Sequence, residues 1–310
     1  MYKEKDYING KGQNIHYLEC GEGQPVMFIH GQGMCSEDFI VVFNTLKERY
    51  HIYSVDVPGH GASSRDRELY TCKSSGDILI EFAHEVIGEK YLIAGHSMGS
   101  IIGSYIAGAD AENVQGLLME DTPFFNVDLG EVEDSVAYKD IFAIIHEFLN
   151  QDQEKNFMLF YLPRSYVFSL LGEEKHKEVV EEAKVYISQH PGEPLRLKSV
   201  PDKMLFGWQY LGRYDFEYVD TFCQGSWFKY TDQEEILKSV KCPVVYLKSK
   251  TRWAEDGTLM SANSDKSSDW VVSLLADVER YELKCGHNIH NARPEEFIKG
   301  LDMVRTKIKI

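Results

Sequence analysis

The chain has 310 residues, 43% of them apolar, a size that suits one core fold carrying an insertion. Its 33 basic and 49 acidic residues give a formal net charge of −16, which argues against nucleic acid and anionic membrane surfaces as partners. No stretch approaches the roughly 18 consecutive apolar residues that span a bilayer. The start, MYKEKDYING, is charged and lacks an apolar signal core, so the expected location is cytoplasmic. Six cysteines without CxxC spacing read as reduced, buried thiols. Of these, Cys35 and Cys285 fall beside the motifs described next and are expected to pack as small hydrophobes.

Strands are expected over 6–9 and 13–19, with Gly10 and Gly12 in the turn between them, so an antiparallel hairpin opens the fold. The run PVMFIH, 25–30, is a short buried strand that enters Gly31-Gln32-Gly33. Such a loop lets the backbone approach a ligand closely, and the N–H of Gln32 is a candidate donor to an oxyanion. A helical pattern over 36–50, a strand over 51–56 and a second helical pattern over 74–89 follow. His60 is expected to close the turn that starts at Asp56. A buried strand over 90–95 then meets Gly95-His96-Ser97-Met98-Gly99 and a small-residue helical pattern over 97–109.

Strand, Gly-x-Ser-x-Gly and helix together read as a nucleophile elbow. Ser97 would sit on a strained turn with its hydroxyl exposed. The N–H of Met98, at the start of a helix, would be the second oxyanion donor. His30 and His96 are expected to brace the loop and the elbow by hydrogen bonds. A strand over 114–120 completes this half.

From about 122 to 238 the alternation stops. Helix-like segments at 135–150 and 175–190 are punctuated by Pro163, Pro191, Pro194 and Pro201, in a span dense in aromatics from Phe124 to Tyr230. The span reads as a helical lid with an apolar, partly aromatic pocket beneath it. The core resumes with strands over 243–248 and 278–283. The second of these leads into Lys284-Cys285-Gly286-His287, which places His287 on a late loop where a base can reach back to Ser97. Short buried strands alternating with helices imply a mostly parallel, eight-stranded α/β sheet. The core would comprise 1–121 and 239–310, and the cap 122–238.

Taken in order, these motifs resemble the α/β-hydrolase superfamily, in its serine-nucleophile branch with a helical cap. The resemblance includes Asp56-Val57-Pro58-Gly59-His60-Gly61-Ala62-Ser63, Cys242-Pro243, and Gly286-His287 followed by Pro294. It implies a Ser–acid–His triad with no cofactor and no metal. His290 makes a His-x-x-His pair with His287 but has no accompanying acidic ligand in the pattern.

The acid departs from the family pattern. Relatives carry Gly-x-x-Asp soon after the seventh strand, whereas here Ser249-Lys250-Thr251-Arg252 stands in that place. Asp256 is the first choice and Asp121, at the end of the preceding strand, the alternative, with Glu120 and Glu255 behind them. The function expected is hydrolysis of an ester or related acyl bond through an acyl-serine, as in carboxylesterases. Ser97 in place of an aspartate disfavours dehalogenase and epoxide-hydrolase chemistry. A ligand sensor on the same fold is the alternative from a different class, and a lyase is a third reading.

Overall fold

The computed structural model describes residues 2–124, 132–201 and 204–308. Eight strands form one sheet: β1 (Lys3–Ile8), β2 (Asn14–Cys20), β3 (Gln24–Ile29), β4 (Tyr50–Val55), β5 (Tyr91–His96), β6 (Val114–Glu120), β7 (Val244–Ser249) and β8 (Val278–Leu283). Their order is β1-β2-β4-β3-β5-β6-β7-β8. Only β1/β2 and β2/β4 pair antiparallel, and every other neighbour is parallel. β5 and β7 are buried at every position, whereas β1 and β8, at the two edges, have no buried position. That contrast explains why the central strands read as unbroken apolar runs.

Two apolar cores cover the faces of the sheet. On one face, α2 (Cys72–Phe82) and α3 (Met98–Ala109) pack Leu79, Phe82, Ile102 and Ile106 over β3, β5 and β6. On the other, α1 (Ile40–Leu46) and a C-terminal helix, Pro294–Thr306, pack Val42, Leu46, Phe297 and Leu301. Each fully buried side chain of this kind contributes about 1.5–3 kcal/mol in transfer free energy. The expected helix over 36–50 is shorter than its pattern: a single tight turn, Ser36–Phe39, precedes α1. α2 starts two residues early because Thr71 and Ser74 exchange side-chain and backbone hydrogen bonds in a capping box.

Between β6 and β7 the described residues contain helices but no strand. α4 (Ala143–Leu149), α5 (Phe157–Tyr161), α6 (Tyr166–Ser169), α7 (Glu173–Gln189), α8 (Phe216–Cys223) and α9 (Gln233–Ser239) follow in order. Much of this segment has a core of its own, with Ile145, Phe160, Phe168, Val179 and Val219 buried together. After β7 the chain adds α10 (Asp265–Leu274). A short helix, α11 (Ile289–Ala292), then precedes the C-terminal helix, labelled α12. Among the described residues no disulfide forms, and no helix is long and apolar enough to cross a membrane.

Candidate active site

Ser97 stands between β5 and α3 with φ 51° and ψ −120°. That backbone conformation costs a side-chain-bearing residue about 1–3 kcal/mol and persists only where the surroundings impose it. Here they do. Ser97 donates its N–H to the Glu120 carbonyl at 2.8 Å, and Ser100 Oγ, 2.5 Å from the Gly95 carbonyl, accepts from the Glu120 N–H at 3.1 Å. A methyl group on Gly95 would lie 2.4 Å from the Gly99 carbonyl oxygen, and one on Gly99 2.0 Å from that of Ile29. The two glycines of the motif are therefore required by close backbone approach. Met98, the first residue of α3, has an N–H with no intrahelical partner.

The loop after β3 is held from two sides. His30 Nδ1 donates to the Gly31 carbonyl at 2.7 Å, and its Nε2 accepts from the Val57 N–H at 3.0 Å. His60 Nε2 accepts from the Gly33 N–H at 3.2 Å, while its Nδ1 donates to the Pro58 carbonyl at 3.2 Å. Each ring therefore needs one protonated and one bare nitrogen, and burial pushes both pKa values down, which keeps them neutral. His60 thus closes its turn as expected and also fixes the loop bearing Gln32. His96 plays a different part from the one expected. Its ring packs on those of His287 and His290.

The carboxylate facing His287 is Asp121 and not Asp256. His287 Nδ1 lies 2.7 Å from Asp121 Oδ2. Asp121 is 1% exposed and has φ 44°. Its N–H donates to the Leu247 carbonyl at 2.8 Å, which turns its side chain across the end of β7. There Ser249 completes the shell, its N–H donating to Oδ1 at 2.7 Å and its Oγ–H to Oδ2 at 2.8 Å. Ser249 was not singled out from the sequence. The signal was the missing carboxylate after β7 together with a strand-end Asp on its neighbour.

Asp256 is exposed. The chain after β7 folds back on itself through Ala254 N–H to Thr258 O (2.8 Å) and Met260 N–H to Arg252 O (2.8 Å), carrying Asp256 outward. There it accepts from the Thr258 N–H and the Tyr166 hydroxyl, and the Thr258 bonds hold its pKa down. Glu255 is also exposed, and Glu120 faces His290. Burial pushes the Cys35 thiol up to about 12 and that of Cys285 to about 11, so both are unreactive packing groups.

Ser97, His287, Gln32 and Met98 open into one cavity of about 340 Å³. Its walls are mainly apolar and come from both halves of the chain, including Ile101, Val136, Phe142, Tyr214, Phe222 and Phe228. No lysine or arginine lines it among the described residues. Asp140, at its edge, already accepts from Tyr161, Ser165 and the Val167 N–H. Two groups of described residues bring three metal-type donor atoms within 4.8 Å, namely Asp38, His96 and His290, and His146, Asp220 and Cys223. In each, a histidine is already bonded to a carboxylate, His290 to Glu120 and His146 to Asp220, and neither group is assigned a metal.

A sheet of this order, with a serine elbow after β5 and a histidine after β8 opposite a buried acid, defines a protein of the α/β-hydrolase class. The model of the alpha/beta hydrolase family matches residues 26–299, and the chain belongs to that family. It is 39% identical to an (E)-2-((N-methylformamido)methylene)succinate hydrolase of Acinetobacter baylyi over 90 residues, 29% of this chain and 34% of that protein. The match thus spans only about a third of that relative's length. A pimeloyl-[acyl-carrier protein] methyl ester esterase of Legionella pneumophila is 24% identical over 76% of this chain and 78% of its own. Among solved structures, a serine hydrolase involved in carbazole degradation superposes with a TM-score of 0.63 at 18% identity, covering 99% of both chains. At that identity the likeness supports the fold alone.

Proposed function

We propose that this protein is a serine hydrolase that cleaves an ester or related acyl bond of a bulky, apolar small molecule through an acyl-Ser97 intermediate. The observation that carries the reading is the placement of His287 on the cavity of Ser97 with its Nδ1 2.7 Å from the buried Asp121. With Nδ1–H committed to Asp121, Nε2 is the free nitrogen. It takes the Ser97 proton as Oγ attacks the acyl carbon, then delivers it to the leaving group. Asp121 fixes that tautomer and stabilises the imidazolium. The N–H groups of Met98 and Gln32 receive the oxyanion, and a water activated by His287 releases the acid.

The apolar walls, without a lysine or arginine among the described residues, favour an uncharged substrate, and the segment that carries Val136, Phe142, Tyr214 and Phe222 acts as the lid over it. Relatives named as a hydrolase and as a methyl ester esterase support the reaction class. A ligand sensor needs no base paired to a buried acid, and His287 has one in Asp121. The test is steady-state hydrolysis of neutral p-nitrophenyl esters. The wild type releases many products per chain, and Ser97→Ala loses about 10⁶ in kcat. Turnover that survives in Ser97→Ala would end the proposal.

A further inference from the structure

Beneath the proposed triad lies a second, wholly buried group of charges that the reaction scheme does not use. Glu120 precedes Asp121 but turns to the opposite side. There one carboxylate oxygen accepts from both the backbone N–H and Nδ1 of His290, each at 2.8 Å. On its far side His290 Nε2 lies 3.1 Å from Asp38 Oδ2. Asp38 belongs to the turn after the Gln32 loop, and His290 to α11, three residues beyond His287. Asp38, Glu120 and His290 are all at most 4% exposed. Among the described residues no lysine or arginine pairs with either acid. The His96 ring stands between, its centroid 4.6 Å from that of His287 and 5.2 Å from that of His290.

A general base must be neutral before it can accept a proton, and three buried carboxylates, Asp121, Glu120 and Asp38, stand around this loop. We propose that His290 is the positioning residue and counter-ion of the proposed triad. Bridging Glu120 and Asp38, it ties the His287 loop to the end of β6 and to the turn after the oxyanion loop. It also places a buried positive charge between Glu120 and Asp38, beneath the His287 loop.

The inference rests on the serine-hydrolase reading. An imidazolium carries a proton on both ring nitrogens, one facing Glu120 at 2.8 Å and the other 3.1 Å from Asp38. Burial pushes the His290 pKa down, but the charge of Glu120 and the hydrogen bonds to Asp38 and Glu120 outweigh it and raise it to about 10. Asn291 Nδ2 lies 2.8 Å from Nε2 and 3.5 Å from Asp38 Oδ1, so a protonated Nε2 requires this amide to turn its oxygen to the ring. Other titratable neighbours leave this balance intact. His96 is held neutral, its pKa pushed well down by burial and by His287 and His290. The Cys285 thiol is protonated, and Arg293 and Glu296 offset one another at 3.8 Å. Phe39 and Phe297 pack on the remaining faces of His290.

The first arm of the test is ¹⁵N NMR of histidine-labelled wild-type protein at pH 8. Two protonated ring nitrogens are expected on His290, and the same signature in Ser97→Ala separates this result from any failure of the catalytic reading. The second arm is the pH dependence of kcat/KM. The His287 and His290 rings lie within about 10 Å, so losing the positive charge in His290→Gln moves the acidic limb up by about one pH unit. Adding Glu120→Gln to that variant removes one negative charge and returns the limb towards the wild-type position. A purely structural role would lower the melting temperature of both variants and leave the limb in place. A single protonated nitrogen on His290, a stoichiometric metal ion lost with His290→Gln, or an unmoved limb would each overturn the proposal.

Discussion

The ends of β6 and β7 lie side by side in the sheet, Glu120 opposite Leu247, yet they serve the candidate site in different ways. The end of β6 carries two acids facing opposite ways, Asp121 towards His287 and Glu120 towards His290. The end of β7 carries none and contributes Ser249, whose two donors clamp Asp121. Neighbouring strands are about 4.8 Å apart, so an acid can start from either strand end and still reach the same imidazole. A positive φ at Asp121 makes up the difference.

The sharpest way to break this comparison is to neutralise each candidate acid in turn. Asp121→Asn should lose about 10⁴ in kcat, the size of effect that follows when the base is held in the wrong tautomer. Asp256→Asn, on an exposed turn, should stay within about twofold of wild type, as surface substitutions usually do. Equal losses, or the reverse order, would return the acid to the loop after β7. A smaller effect tests the clamp. Ser249→Ala removes a hydrogen bond to a buried carboxylate, a change of about 1.5–3 kcal/mol. Steady-state kinetics should show kcat down by roughly 10–100-fold, with Ser249→Thr recovering most of it. The smallest effect concerns strain. Ser97→Gly removes the penalty of φ 51° and should raise the melting temperature by a few degrees while abolishing turnover. A lower melting temperature would mean that the elbow is not strained.

The strands were legible because β3, β5, β6 and β7 are short apolar runs bounded by glycine, proline or charge, and burial on both faces leaves no other reading. Ser97 and His287 were legible because their motifs are backbone devices: Gly95 and Gly99 exist for contacts below 2.5 Å that no side chain could enter. The carboxylate that faces His287 was not legible. Gly257-Thr258-Leu259-Met260, just after Asp256, resembles the turn that follows a triad acid, but it belongs to a surface loop that closes on itself. Choosing between Glu120 and Asp121 depends on which way each side chain leaves the strand end, a matter of tertiary geometry. His60 gave the opposite lesson. Read as closing a local turn, it also reaches Gly33, 27 residues away. The pairing of His290 with Glu120 links residues 170 apart, and only the HxxH spacing drew attention to it.

The measurement closest to the central claim is intact mass after treatment with a small fluorophosphonate, followed by peptide mapping. A competent triad with an assembled oxyanion hole predicts one adduct per chain, located on Ser97 and absent from Ser97→Ala. Folded protein that stays unmodified, or an adduct on any other residue, would contradict the account.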